Sequence, residues 1–220
     1  MDLQLIIDIL PAFLSAAWTT VWISVLAIQL GALSGFALNV MQMLWPRVAP
    51  IYRSYVWLIR GTPFLAQLFV LYFGLPQLGV TLDAVQATVI GLTLYGAAYF
   101  AEIFRAAWQS IPRGQIEAGK VFGMSRLHIL RRIEVPQVCR LAIPMLTNQA
   151  ILILKESSVA SIITVPELTK TAGTIVADTF SYAEPYLLLG LIYWVLALSF
   201  GFAGHALERI SAPVFRKDTP

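Results

Sequence analysis

From Ile9 to Pro46 the chain carries no charged residue. As a helix this run would measure about 57 Å, against a hydrocarbon core of about 30 Å. A soluble domain of 220 residues has no interior large enough to hide it, and 58% of the whole chain is hydrophobic while only 12% is charged. The chain therefore reads as a polytopic, all-α membrane protein. No Gly/Pro/Asn turn divides the run, so it is expected to form one tilted helix with an interfacial lead-in. Pro11 and Trp18 mark its outer boundary, and the span itself covers roughly Trp18–Met43.

Further charge-poor stretches give four more spans, at about Val56–Leu75, Ala84–Trp108, Leu141–Ile163 and Pro185–Leu207. Arg60 interrupts the second near its start and is expected to snorkel to the inner interface. Five spans place the termini on opposite sides. One set of connections holds Arg47, Arg53, Arg113, Lys120, Arg126, Arg131, Arg132, Arg140, Arg209, Arg216 and Lys217. The other holds Asp2, Asp8, Asp83, Glu167, Asp178 and Glu184, with Lys170 as its one cation. The bias of cations toward the cytoplasm puts the N-terminus outside and the C-terminus inside. The acidic N-terminus lacks the pattern of a cleavable signal peptide. Gly31 and Gly35 form a G-x-x-x-G stripe that suits close packing of helices within one subunit better than a dimer contact.

Between spans three and four, residues 109–137 form a polar, basic segment within one otherwise apolar domain, 1–220. Ser110-Ile111-Pro112 reads as a helix start, and a short helix follows to about Phe122. Gly123 supplies a stop with positive φ. Ser125 caps a second helix with Leu127, Leu130 and Ile133 near one face, and Pro136 ends it. Two short helices at a sharp turn make a docking element for a soluble partner. Gly114, Gly119 and Lys120 nearly spell a phosphate-binding loop, but Val121 lacks the hydroxyl that such a loop offers to Mg2+ and no strand precedes it. The chain is thus expected not to bind ATP, and a set of catalytic residues is not visible.

Charges inside the spans are the candidates for transport chemistry, because each costs about 2.5–3.5 kcal/mol near the bilayer centre. Glu102 either bridges to Arg105 at i+3 or faces a substrate. The neighbours Lys155 and Glu156 point about 100° apart on a helix, so they either lock neighbouring helices or meet a substrate. Tyr95 and Tyr99 are one turn apart on the Glu102 side and are either core aromatics or pocket walls. Ser157 and Ser158 bond their own backbone or a substrate carboxylate. His128 and His205 lack partners at metal-ligand spacing and read as solvated or packing residues. The lone Cys139 reads as a small packing residue.

The docking segment also carries Glu117-Ala118-Gly119, Gly123 three residues on, and Ile133, Val135 and Pro136 after nine more. This spacing resembles the EAA loop of ATP-binding-cassette (ABC) importer permeases, with Gly119 where the consensus has Ala and Val135 where it has Leu. Residues 60–69 (Arg60-Gly61-Thr62-Pro63-Phe64 onward), 96–105, 155–158 and 166–169 resemble, in order, motifs of the polar amino acid branch of those permeases. The resemblance implies a type I importer permease in the inner membrane, needing no cofactor. Glu117, Ala118, Gly119, Gly123, Arg113, Lys120 and Arg126 would dock two ATPase subunits. A second permease, an extracytoplasmic solute-binding protein and membrane lipids would be partners, with no nucleic acid. Glu156, Glu102, Lys155, Ser157, Ser158, Tyr95 and Tyr99 would contact a basic or zwitterionic amino acid, Glu156 facing its ammonium. Alternatives are a permease for methionine or another small solute, or an ATPase-independent channel or secondary transporter.

Overall fold

The computed structural model describes residues 3–211, so Asp2, Arg216 and Lys217 of the charge argument lie outside the described residues. Helix α1 (Leu3–Leu44) is unbroken over 42 residues, about 63 Å. Pro11, expected at a boundary, sits inside it. The lead-in is helical because it has a surface to cover: Ile9, Phe13 and Ala16 pack on Leu168 and Ala172 of α8 (Leu168–Thr179). That helix was not expected, since its sequence lies between polar loops. Glu167 starts it, its carboxylate accepting the Lys170 N–H at 2.7 Å.

A short 3₁₀ turn at Pro46–Val48 leads into α2 (Ala49–Arg60). The second span is not the single rod expected over Val56–Leu75. It bends by 105° between 46–60 and 64–78, where α3 (Phe64–Phe69) runs on through a π turn to Leu78. The corner follows from local chemistry. Pro63 is extended (φ −62°, ψ 139°) and cannot continue α2. Thr62 Oγ1 donates to the Leu58 carbonyl at 2.9 Å, and Gln67 Nε2 reaches back to the Ile59 carbonyl at 2.8 Å. Phe64 and Leu68 are buried beyond the corner, with the Phe64 ring edge-on to Tyr95 at 5.5 Å.

Helix α4 (Ala84–Gln109) is the central post, opened by a capping box between Asp83 and Gln86. It packs backbone to backbone on α1: a Cβ on Gly35 would stand 2.8 Å from both the Ala101 nitrogen and the Ala97 oxygen. The G-x-x-x-G stripe thus serves contact within the subunit, and Asn39, one turn on, donates to the Ala101 carbonyl. A polar hairpin follows, α5 (Arg113–Val121) and α6 (Arg126–Ile129), after which a π turn (Leu130–Glu134) feeds α7 (Val135–Glu156). Pro136 does not stop the helix. The Val135 N–H bonds five residues back to the Leu130 carbonyl, and the widened turn absorbs a ring that an ordinary α-ladder would reject. A 3₁₀ stretch (Ser157–Ile163) extends α7, so the span expected at 141–163 belongs to a helical run from Arg126 to Ile163. Cys139, expected to pack, is exposed; the inward side of α7 there is Val138 and Ala142. Helix α9 (Ala183–Ser211) completes the bundle.

Candidate functional site

Two polar regions stand out from the apolar bundle. The first is the hairpin. Ser110 does not cap α5, as expected; its hydroxyl bonds back to the Ala106 carbonyl at 3.0 Å and Pro112 is the cap residue. Gly123 has φ +73° and closes α5, and Ser125 caps α6 by accepting the His128 N–H. Gly119 is buried, and a Cβ there would lie 3.1 Å from Ile129 and 3.2 Å from Ile133. Glycine at the third position of the motif thus lets α5 sit against the next turn. The inward face is Ile129, Leu130 and Ile133, while Leu127, expected with them, is 55% exposed because α6 turns it outward.

Glu117, Ala118, Arg113, Lys120 and Gly123 lie exposed along α5 and its end. Arg126 is itself exposed and pairs with Glu134, which is only 2% exposed. Gln137 Nε2 donates to Gln115 Oε1 at 2.6 Å, tying α5 to the base of α7. Two residues that sequence reasoning passed over, Val121 and Phe122, are each 85% exposed at the hairpin tip. Their place just before a glycine stop was the available signal.

The second region lies between α2 and α4. Glu102 Oε1 accepts from Tyr52 Oη at 2.9 Å and from Arg105 Nε at 2.9 Å, and Oε2 accepts from Arg105 Nη2 at 2.8 Å. Glu102 is therefore engaged inside the subunit, by its i+3 arginine and by a tyrosine fifty positions away. Arg60 turns toward α4. Its guanidinium lies 5.2 Å over the Tyr99 ring, with Nη1 3.6 Å from Glu102 Oε2. Tyr52, Arg60, Glu102 and Arg105 border a cavity of about 550 Å3, of which Tyr99 is not a lining residue.

The Tyr99 and Tyr95 rings lie 4.6 Å apart, tilted at 41° to each other. Glu156 is half-buried at the end of α7, Lys155 is exposed and Ser158 is half-buried. Ser157 is buried, its hydroxyl donating to the Leu154 carbonyl at 2.7 Å. The structure thus brings Arg60, Tyr99 and Tyr95 into one series, leaves Glu156 outside it, and leaves Ser157 on its own backbone. His205 Nδ1 sits 3.3 Å from Glu208, and among the described residues no group of three metal-binding side chains occurs. At the far end of the bundle Glu167 is 1% exposed, its second oxygen accepting from Tyr193 Oη at 3.1 Å. Burial holds its carboxyl above the usual carboxylate range, against the pull of the Thr169 and Lys170 N–H groups.

A bundle of apolar spans with a bent second span and a basic helical hairpin defines a class: the membrane subunit of a transporter driven by a separate ATPase. The chain belongs to the family described as binding-protein-dependent transport system inner membrane component, which matches residues 27–210. It is 38% identical over 199 residues to the probable amino-acid ABC transporter permease protein YckA of Bacillus subtilis, covering 88% of this chain and 86% of that one. It is 33% identical to the arginine transport system permease protein ArtQ of the same organism, over 95% and 96% of the two chains. Among solved structures, one described as an amino acid ABC transporter with histidines matches with a TM-score of 0.88 at 35% identity. That match covers 95% of this chain and 98% of the other. The protein is a multi-pass inner-membrane permease of an ABC transporter, and ATP is hydrolysed by other subunits. Family membership implies an ATPase and a solute-binding protein as partners.

Proposed function

We propose that the chain carries a polar amino acid, basic or zwitterionic, inward by alternating access. The relatives named above act on amino acids, and the observation that carries the reading is the Tyr95–Tyr99 ring pair on α4, against which α7 packs with the half-buried Glu156 at its end. A carboxylate beside aromatic rings suits an ammonium or guanidinium group. Cation sorting places the N-terminus outside and the hairpin in the cytoplasm. There the exposed Glu117, Ala118, Val121 and Phe122, with Arg113 and Lys120, dock on the ATPase. Two permeases, alike or related, pair over two ATPase subunits. The binding protein delivers substrate to the α8 end.

Glu156→Gln tests the pocket. In proteoliposomes with the ATPase and binding protein, uptake should fall at least tenfold while ATP hydrolysis without substrate stays intact. Undiminished uptake would remove Glu156 from the pathway.

A further inference from the structure

We propose that the cavity between α2 and α4 binds the phosphate of an anionic phospholipid. Its charged lining residues are Arg53, Arg60 and Arg105 against Glu102 alone, three cations less one carboxylate, an excess of two positive charges. Glu102 is already engaged by Tyr52 and by two nitrogens of the Arg105 fork. Arg60 stands 3.6 Å from that carboxylate, beyond hydrogen-bond range, and makes no hydrogen bond among the described residues. The Tyr99 ring, 5.2 Å away, supports one face of its guanidinium. Arg53 donates Nε to the Ala49 carbonyl of its own helix at 3.4 Å and is otherwise exposed. The cavity is thus short of an anion, and arginine forks fit the paired oxygens of a phosphodiester.

The place of the cavity selects the anion. Arg105 lies four residues before the end of α4 and Gln42 two before the end of α1, both at the end of the bundle that carries the hairpin. Four helical residues span about 6 Å, the depth of one headgroup layer. Trp57 lines the cavity and is exposed, as is Leu58 beside it, so the opening looks outward, onto lipid. Exposed indoles at Trp45 and Trp57 suit the same layer. Cations beside hydrocarbon are costly unless paired, and basic recesses between spans are receptors for acidic headgroups. A volume of about 550 Å3 is that of a small-molecule site and admits a phosphoglycerol group. A soluble phosphate offers the same oxygens but has no acyl chains to lie over Trp57 and Leu58. Neither Tyr95 nor Glu156 lines the cavity, so the proposal goes beyond the amino acid reading and does not rest on it.

The test uses the purified permease–ATPase complex, extracted into detergent from vesicles of mixed phosphatidylglycerol and phosphatidylcholine, with the retained lipid measured by mass spectrometry. Phosphatidylglycerol should be enriched about tenfold over its share in the vesicles, as expected for one charge-assisted pair. Arg60→Gln should lower that enrichment to about threefold or less, whereas Arg60→Lys, which still offers a point charge to phosphate, should keep most of it. If Arg60→Gln fails to assemble, Arg53→Gln takes its place, since Arg53 is exposed and bonds only its own helix. An unchanged enrichment in the glutamine variant that assembles overturns the assignment. Displacement of the retained lipid by inorganic phosphate or by free amino acid also overturns it, making the occupant a soluble anion. A wild type without enrichment overturns it too. If Trp57→Cys then forms a disulfide between two permeases, the face is a permease contact instead.

Discussion

Replacing Gly35 by alanine puts one methyl group where α1 and α4 touch through their backbones. The new Cβ would lie 2.8 Å from the Ala101 nitrogen, 2.8 Å from the Ala97 oxygen and 2.9 Å from the Phe100 Cβ. None of these is the end of a flexible side chain, so the helices must part by about half an ångström in an interior packed near crystal density. Overpacking of this kind costs about 1–3 kcal/mol. Parting the helices also stretches the bond from Asn39 to the Ala101 carbonyl, a loss of about 1 kcal/mol. Better helix propensity returns about 1 kcal/mol. The net loss is about 2 kcal/mol, which at 2–4 °C per kcal/mol lowers the midpoint of thermal unfolding by about 6 °C. Gly31 is the internal control, because its Cβ would meet the same helix at 3.3 Å, where strain and propensity nearly cancel. Monodisperse protein remaining after heating in detergent measures both. A Gly35→Ala protein as stable as the wild type, or one indistinguishable from Gly31→Ala, would refute the close-packing account.

Arg126→Ala removes the partner of the buried Glu134 carboxylate; because the Arg126 side chain is 46% exposed and the pair is screened by water, the hairpin should lose only about 1–2 kcal/mol, read as a lower midpoint of thermal unfolding, and adding Glu134→Met should restore most of it. Glu117→Lys reverses an exposed charge on α5, so it should weaken ATPase binding about tenfold in a pull-down and leave the permease's own thermal stability unchanged. For Glu167, burial raises the folded-state pKa above the unfolded value, so the folded protein holds its proton more tightly. The associated stability is fully present below the unfolded pKa and is lost as pH rises through the folded one. Unfolding midpoints should therefore fall from pH 4 toward neutrality, and Glu167→Gln should flatten that slope.

The spans were legible because length and charge are one-dimensional properties: a 38-residue charge-free run can only be a long helix in a membrane. The hairpin was legible for a related reason, since Gly123 and Ser125 impose their geometry on near neighbours. What escaped depends on distant partners. Gly61-Thr62-Pro63 reads in the sequence as part of one span, and the bend there is held by Gln67 reaching back to Ile59. Pro136 reads as a stop in any local rule, and the π turn that tolerates it shows only in three dimensions. Helix α8 exists because α1 extends far enough to cover it. Glu102 had a legible partner in Arg105, whereas Tyr52 lay fifty positions away.

The helical run that continues across Pro136 has a mechanical consequence. From Arg126 in the hairpin to Glu156 at the end of α7 is about 45 Å of continuous helix. Such a rod acts as a lever, since a tilt of about 10° at one end displaces the other by about 8 Å, more than a helical pitch. A conventional proline break at 136 would turn that lever into a hinge. By keeping the run helical, the π turn makes the hairpin and Glu156 two ends of one body.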